Sequence, residues 1–423
     1  MSCRPVKVLS VCTSDSLGGA ARAACRIHLA VRDLGVDSRM FVKYKGTDDP
    51  TILTVDDFIP HNALYRGFDW GRNKIRNIRQ HCQWGKYSAR SGYFMSDLRS
   101  TDLGRALQRI DYDILHLHWV NMRFLPLEEL PVDKPIVWTL HDSWPFCGIC
   151  HVPFDCHNYE QGCGCCPGLD SDRNDDLSHK VWKEKKRIYG KREIHIVTPS
   201  RWMAECAGKS ALFGDRDIHV IPNCIDTALF SPGDRSEASG HLHLDARKRH
   251  ILFGSMSATK DPNKGFRYLA DALSRIPQEE RDSVDLVMLG DDKLPDNLIN
   301  GLPVLSLGVL RTEADMVAAY RAADLTVVPS LSENLSCTIM ESLSCGTPAV
   351  AFDIGGNGDM IRHGANGYLA REKDTEDLAE GILWTLRQDC GVLSSNARQT
   401  VLERFTSRRI GEEYQNLYSM LYQ

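Results

Sequence analysis

Residues 327–356 read VVPSLSENLSCTIMESLSCGTPAVAFDIGG. An apolar run ends at Pro329–Ser330, and a polar loop carrying Glu333 and Asn334 follows. Helical spacing then puts Ile339 and Leu343 on one face, with Leu335 beside them. Gly346–Thr347–Pro348 stops the helix and Ala349–Phe352 begins another strand. The stretch therefore predicts a strand, a helix and a strand, with Glu333 at the mouth and Glu341 two turns into the helix. Open parallel sheets bind ligands at the carboxyl ends of their strands, and helix N-termini favour anions. A carboxylate at such a place would repel phosphate unless it faced something else. Neighbouring hydroxyls of a sugar or ribose suit it, because a carboxylate accepts from two of them. The expected ligand carries both phosphate and sugar, as a nucleotide sugar does.

A chain of 423 residues exceeds one ordinary core, so two domains are expected. The net charge of −5 gives no support to wholesale nucleic-acid binding, and the acidic excess lies after residue 232. The strand-like run Val6–Cys12 begins almost at once. No signal peptide and no membrane-spanning apolar run are read, so a cytoplasmic location is expected. There thiols stay reduced, and a dense group among the 15 Cys points to metal before disulfides.

Val6–Cys12 runs into Thr13–Gly19 and the helical pattern Ala20–Leu34. A strand, a two-glycine turn at Gly18–Gly19 and a helix suit a ligand approaching bare backbone. Ser38–Lys43 reads as the second strand. Residues 62–109 are rich in Arg and Lys (Arg66, Arg72, Lys74, Arg76, Arg79) interleaved with Tyr65, Phe68, Trp70, Trp84, Tyr87, Tyr93 and Phe94. They read as a solvated helical face with core aromatics, as a surface for anionic lipid headgroups or, with less support from the acidic total, as a nucleic-acid surface. Ile110–Trp119 is a strand ending in His116, His118 and Trp119, and Pro135–Leu140 is one ending at His141–Asp142.

Six cysteines follow: Cys147, Cys150, Cys156, Cys163, Cys165 and Cys166. The pairs Cys147-x2-Cys150 and Cys163-x2-Cys166 suit four thiolates around one tetrahedral Zn²⁺, with Cys156, His151 and His157 as spare ligands. Four thiolates leave no open position, so the role would be structural. Lys180–Arg192 reads as a solvated basic helix face. Ile194–Ser200 and Ile218–Pro222 are strands, and the polar stretch Gly233–Gly240 is the expected domain boundary. After it strands are expected at His250–Gly254, Asp285–Gly290, Val304–Leu307, Leu325–Val328 and Ala349–Phe352, with helices between them. This is a second doubly wound α/β domain. Lys264–Gly265 follows its first strand, where the lysine could reach a phosphate. Ile410, Tyr414, Leu417 and Leu421 form a final apolar stripe.

Together these segments resemble the GT-B glycosyltransferases of family four, in the branch that assembles bacterial exopolysaccharides of the colanic-acid type. The resemblance spans nearly the whole chain. It rests on LGGAARAA (Leu17–Ala24), DILHLHWVN (Asp113–Asn121), WTLHDSWPF (Trp138–Phe146) and the cysteine segment to Pro167. It continues in TPSRWMAECA (Thr198–Ala207), IPNCIDTALFSP (Ile221–Pro232), DPNKGF (Asp261–Phe266) and residues 327–356.

The resemblance implies two Rossmann-like domains facing a cleft. The first, 1–232 with a Cys-rich insertion at 147–167, holds the acceptor, and the second, 233–405, holds the donor. A helix at 406–423 crosses back to the first. It implies a retaining hexosyltransferase using a nucleotide-diphosphate sugar and a glycan or lipid-linked acceptor, with no catalytic metal, at the inner face of the membrane. By this match Glu341 holds the ribose, Glu333 and His141 meet the donor sugar, and Lys264 and Gly18–Gly19 meet the diphosphate. Asn334 and Leu335 complete the donor loop. The branch's recurring cysteines correspond to Cys150, Cys156, Cys163 and Cys166. Four positions depart from the pattern. Ser255 stands where relatives have Arg, Ser336–Cys337 where the branch has Pro-Asn, and Cys224 where a glycine is usual. A nucleotide-sugar epimerase of the same architecture and a non-catalytic nucleotide-sugar-binding subunit are the rival readings.

Overall fold

The computed structural model describes residues 4–58, 71, 74–75, 77–78, 81–88, 92–96, 107–254, 259–290, 298–299 and 301–422. The chain divides into two compact units, Met1–Pro222 with Ile410–Gln423, and Asn223–Arg409.

The first unit holds β1 (Lys7–Ser14), β2 (Asp37–Tyr44), β3 (Ile52–Thr54), β4 (Ile114–Leu117), β5 (Ile136–Thr139), β6 (Ile194–Thr198) and β7 (Ile218–Val220). Their order is β3-β2-β1-β4-β5-β6-β7, parallel throughout. The strand order reverses direction between β1 and β4, which is where doubly wound sheets place their ligands. Every residue of β4 and β5 is buried, as expected for strands covered on both faces. The helix Ser407–Leu421 packs here through buried Ile410, Tyr414, Leu417 and Tyr418. Tyr414 Oη lies 2.9 Å from Thr139 Oγ1, and Tyr418 Oη lies 2.7 Å from His116 Nδ1.

The second unit holds β8 (Arg249–Gly254), β9 (Val284–Leu289), β10 (Leu298–Ile299), β11 (Leu302–Gly308), β12 (Leu325–Val328), β13 (Ala349–Phe352) and β14 (Gly367–Ala370). Their order is β10-β11-β9-β8-β12-β13-β14, and only β10 with β11 is antiparallel. Its reversal falls between β8 and β12. The short outer strands β3, β10 and β14 were not expected, because two to four residues carry too little periodicity to read.

The boundary differs from expectation. Gly233–Gly240 is no linker: Arg235–His241 is a helix capped by Asp234. Residues 223–232 already belong to the second unit. Arg398 donates to the carbonyls of Thr227, Phe230 and Ser344, and Arg321 to Ser231, which ties that strand-free stretch down.

Candidate active site

In the second unit the candidate residues gather at the ends of β8 and β12. Asp261–Gly265 follows β8, and Lys264 closes a single 3-10 turn, Pro262–Lys264, before the helix Phe266–Ser274. Residues 329–336 follow β12. Asn263 joins the two loops: its carbonyl accepts from Leu331 N at 2.8 Å and its Nδ2 donates to Ser332 O at 3.0 Å. Gly265 adopts φ +68°, and a Cβ there would lie 1.8 Å from Pro329 O, so only glycine permits the approach. Lys264 Nζ consequently donates to Glu333 Oε1 at 3.0 Å. Glu333 holds the lysine's pKa above its ordinary value against the opposing effect of burial. The Glu333 carbonyl accepts from Gly356 N at 3.1 Å, and Gly355 again leaves no room for a Cβ.

The helix after β12 is Cys337–Ser344, starting three residues beyond Asn334. Ser336 caps it through Ile339 N, so the serine that departs from the family pattern has a local role. Leu335 is buried just ahead of the helix and not on it. Glu341 is fully buried, and Tyr320 Oη donates to its Oε2 at 2.9 Å. Nothing in the sequence singled out Tyr320, an ordinary apolar position of the helix Glu313–Ala322. Ser255 lies outside the described residues.

In the first unit Gly18 (φ +87°) caps the helix Gly19–Asp33, with open space where a Cβ would stand. Both glycines are exposed. Asp15 buttresses this turn by accepting from Gly46 N, Thr47 N and Thr47 Oγ1. His141 follows β5, and its Nε2 lies 3.1 Å from Nδ1 of His118, which follows β4. Burial pushes His141 down to about 4 and His118 well below its usual value, so both imidazoles are neutral near pH 7. His116 plays a structural part: it is fully buried between Thr139 and Tyr418.

The cysteine segment sorts itself by geometry. Cys147, Cys150, Cys156, Cys163 and Cys166 line one small cavity, so Cys147 joins the four expected residues. Cys165 turns away to Asp172 O and Asn174 Oδ1. Of the spare ligands, His151 pairs with Asp142 at 2.6 Å and exposed His157 with Glu160 at 3.2 Å. The thiol donor set has the right chemistry for Zn²⁺. Among the described residues, however, no group of three or more His, Cys, Asp and Glu is arranged to hold an ion. Burial raises Cys147, Cys156 and Cys163, whereas the hydrogen bond from Cys150 lowers Cys166 to about 7. Lys185 corrects the solvated-face reading of 180–192. It is fully buried and donates to the carbonyls of Trp144, Cys147 and Gly148, knitting the segment to its helix.

Most of the basic aromatic stretch lies outside the described residues, including Tyr65, Arg66, Phe68, Trp70, Arg72, Arg76 and Arg79. Of the described part, Trp84, Tyr87 and Phe94 pack against the first unit's core. Among the described residues no helix is long and apolar enough to cross a membrane.

Known proteins are similar to this chain in sequence and in fold. A D-inositol 3-phosphate glycosyltransferase of Nocardia farcinica is 32% identical over 214 residues, 46% of this chain and 47% of that protein. One of Nocardiopsis dassonvillei is 35% identical over 181 residues, 40% and 42% of the two chains. The matches thus span less than half the length of these curated relatives. Sucrose-phosphate synthase from Thermosynechococcus elongatus superposes with a TM-score of 0.64 at 18% identity, covering 99% of each chain. Anabaena Alr3699/HepE, solved with UDP and glucose, superposes with 0.63 at 18% identity, covering 98% of this chain and 99% of its own. These likenesses establish the fold, two Rossmann-like domains of GT-B type. Residues 247–388 match the model described as glycosyl transferases group 1, and residues 17–229, half of the sequence, that described as Glycosyltransferase Family 4. By that match and this fold, the chain belongs to glycosyltransferase family 4.

Proposed function

We propose that the protein is a retaining glycosyltransferase. It transfers a hexose from a nucleotide-diphosphate sugar to a glycan or lipid-linked acceptor in cell-surface polysaccharide synthesis, at the cytoplasmic face of the membrane. The observation that carries the reading is the Lys264–Glu333 pair at the reversal of the second sheet. A cation and a carboxylate side by side suit a ligand with a diphosphate on one side and sugar hydroxyls on the other. Lys264 and the start of the helix Cys337–Ser344 would stabilise charge on the leaving diphosphate. Glu333 would hold the transferred sugar, and Glu341, oriented by Tyr320, the ribose. Gly18–Gly19 and His141 are assigned to the same nucleotide sugar on family membership. The acceptor oxygen bonds to the anomeric carbon as the bond to phosphate breaks, and the acceptor's proton passes to the leaving phosphate. No protein nucleophile and no catalytic metal is invoked.

A thermal-shift screen of nucleotide sugars tests the donor half, because a bound donor raises stability by mass action. UDP-glucose heads the screen. Transfer with the anomer read by NMR tests the rest: an inverted product sinks the retaining mechanism. A new sugar nucleotide formed from donor alone would favour the epimerase. The family relatives favour a second acceptor reading, an inositol phosphate in place of a glycan, which an acceptor panel separates.

The cysteines are proposed to bind one structural Zn²⁺ through Cys150, Cys156, Cys163 and Cys166, with Cys147 beside them. The ion would supply cross-linking of the segment and no chemistry of transfer. About one zinc per chain is expected in protein purified without added metal. A metal-free, fully folded protein would exclude it.

A further inference from the structure

A cavity of about 430 Å³ opens on the second unit, away from the candidate active site. The helix Thr375–Arg387 supplies most of its lining. Glu376, Glu380, Leu383, Trp384 and Arg387 recur at three- and four-residue steps and so share one face. Arg275, just past the helix Phe266–Ser274, and Gln388 complete the lining. That helix starts next to Lys264 and ends before Arg275, so the cavity lies about 15 Å from the lysine. Its volume falls in the range of small-molecule sites, about 300–1,000 Å³.

Ion pairs hold the walls in place. Arg275 Nη1 donates to Glu376 Oε1 at 3.0 Å, and Arg387 donates through Nε and Nη2 to Glu280 Oε1 at 3.0 and 2.8 Å. Asp271 lies 3.4 Å from the other side of the Arg275 guanidinium. Charge on the lining balances, Arg275 and Arg387 against Glu376 and Glu380. An anion entering the cavity would have to displace carboxylates that already hold both arginines. Exposed Glu380 has no hydrogen bond or ion pair among the described residues, and neither has the indole N–H of half-buried Trp384. Trp384 is also the first of three rings in contact. Its centroid lies 5.8 Å from that of Tyr368, and Tyr368 lies 4.4 Å from exposed His363. Tyr368 rests on bare backbone, since a Cβ at Gly381 would stand 2.4 Å from its ring.

A neutral polyol matches this lining. Each hydroxyl both donates and accepts, so it can bridge a carboxylate, an amide and an indole N–H. The apolar C–H face of a pyranose meets an aromatic ring. Walls fixed by ion pairs are ordered before the ligand arrives, which lowers the cost of binding. We propose that this cavity is a second, non-catalytic carbohydrate site. It holds a neutral stretch of glycan, with Trp384 as the stacking ring and Glu380 and Gln388 as hydroxyl partners. That the glycan is the enzyme's own acceptor or product rests on the glycosyltransferase reading above; the carbohydrate site itself does not. A glycan held there would raise the local concentration of its growing end.

The test uses the full chain labelled with ¹⁵N-tryptophan, with the Trp384 indole signal identified by its loss in Trp384→Phe. Maltotetraose, cellotetraose and mannotriose are titrated, and inorganic phosphate serves as the anionic arm. A shift of the Trp384 signal by at least one oligosaccharide and none by phosphate supports the site. No shift by any oligosaccharide overturns it, and so does a shift that phosphate alone produces. Glu380→Lys changes an exposed, unpaired side chain, so the fold should be kept, as its melting temperature will show. It is expected to weaken oligosaccharide binding about three- to tenfold, the size of one lost hydrogen bond. Unchanged affinity in both Glu380→Lys and Trp384→Phe, by calorimetry, would place binding elsewhere and overturn the assignment. In the transfer assay Glu380→Lys should raise the KM of an oligosaccharide acceptor by a similar factor and leave donor affinity unchanged. Equal effects on a monosaccharide acceptor would contradict a remote glycan site. Absence of transfer to any acceptor would instead defeat the glycosyltransferase reading and leave the oligosaccharide titration to decide the site.

Discussion

Lys264 and Glu333, 69 residues apart in sequence, hold each other at 3.0 Å where β8 and β12 end. A nucleoside diphosphate would have to take the lysine from the glutamate, so the two substitutions should separate. Lys264→Ala is expected to weaken UDP binding about tenfold or more, the loss of a charged hydrogen bond being on the order of 1.5–3 kcal/mol. Glu333→Gln should leave UDP affinity equal or tighter while transfer collapses. Calorimetry with UDP reads both, and weaker UDP binding by Glu333→Gln would show that the carboxylate does not compete.

Tyr320→Phe should act at a distance. It removes the donor to the buried Glu341 Oε2, which is expected to cost about 1–3 kcal/mol of stability. Donor affinity should fall with it if Glu341 holds the ribose. Denaturant unfolding and donor calorimetry on the same variant check the two effects. Lost stability with intact affinity would detach Glu341 from the ribose.

Gly265 and Gly301 offer a matched pair. Both have positive φ, +68° and +85°, but a Cβ at Gly265 meets Pro329 O at 1.8 Å whereas Gly301 faces open space. Gly301→Ala should cost only the roughly 1–2 kcal/mol of a left-handed L-residue. Gly265→Ala should cost more and also weaken donor binding, because the loops bearing Lys264 and Glu333 must separate. Equal losses by melting temperature would argue against that docking.

Mild acid should loosen the first unit before the second. Burial lowers His28 and His141 to about 4 and His116 to about 3. An unfolded histidine titrates near 6.5, so the unfolded chain binds protons first as pH falls. Stability is therefore lost between about pH 6.5 and 4, on the order of 3 kcal/mol per buried imidazole. Hydrogen exchange at pH 7 and pH 5 should show β1, β4 and β5 losing protection ahead of β8, β12 and β13. Parallel losses would contradict it.

The amino-acid sequence by itself determined the alternation of strands and helices, the two sheets and the loops that bear Glu333, Lys264, Gly18–Gly19 and His141. These are local properties: buried parallel strands read as apolar runs, and glycine and proline punctuate them. Only the tertiary structure decided which side chains meet. Lys264 pairs with Glu333 because β8 and β12 are neighbours in a sheet whose order differs from chain order. Likewise β4 beside β5 joins His118 to His141. Tyr320 had no local mark, since its role comes from Glu341, a partner on another helix. The unit boundary moved from 233 to 223 for the same reason, as Arg398 and Arg321 reach back to carbonyls that composition alone assigned elsewhere.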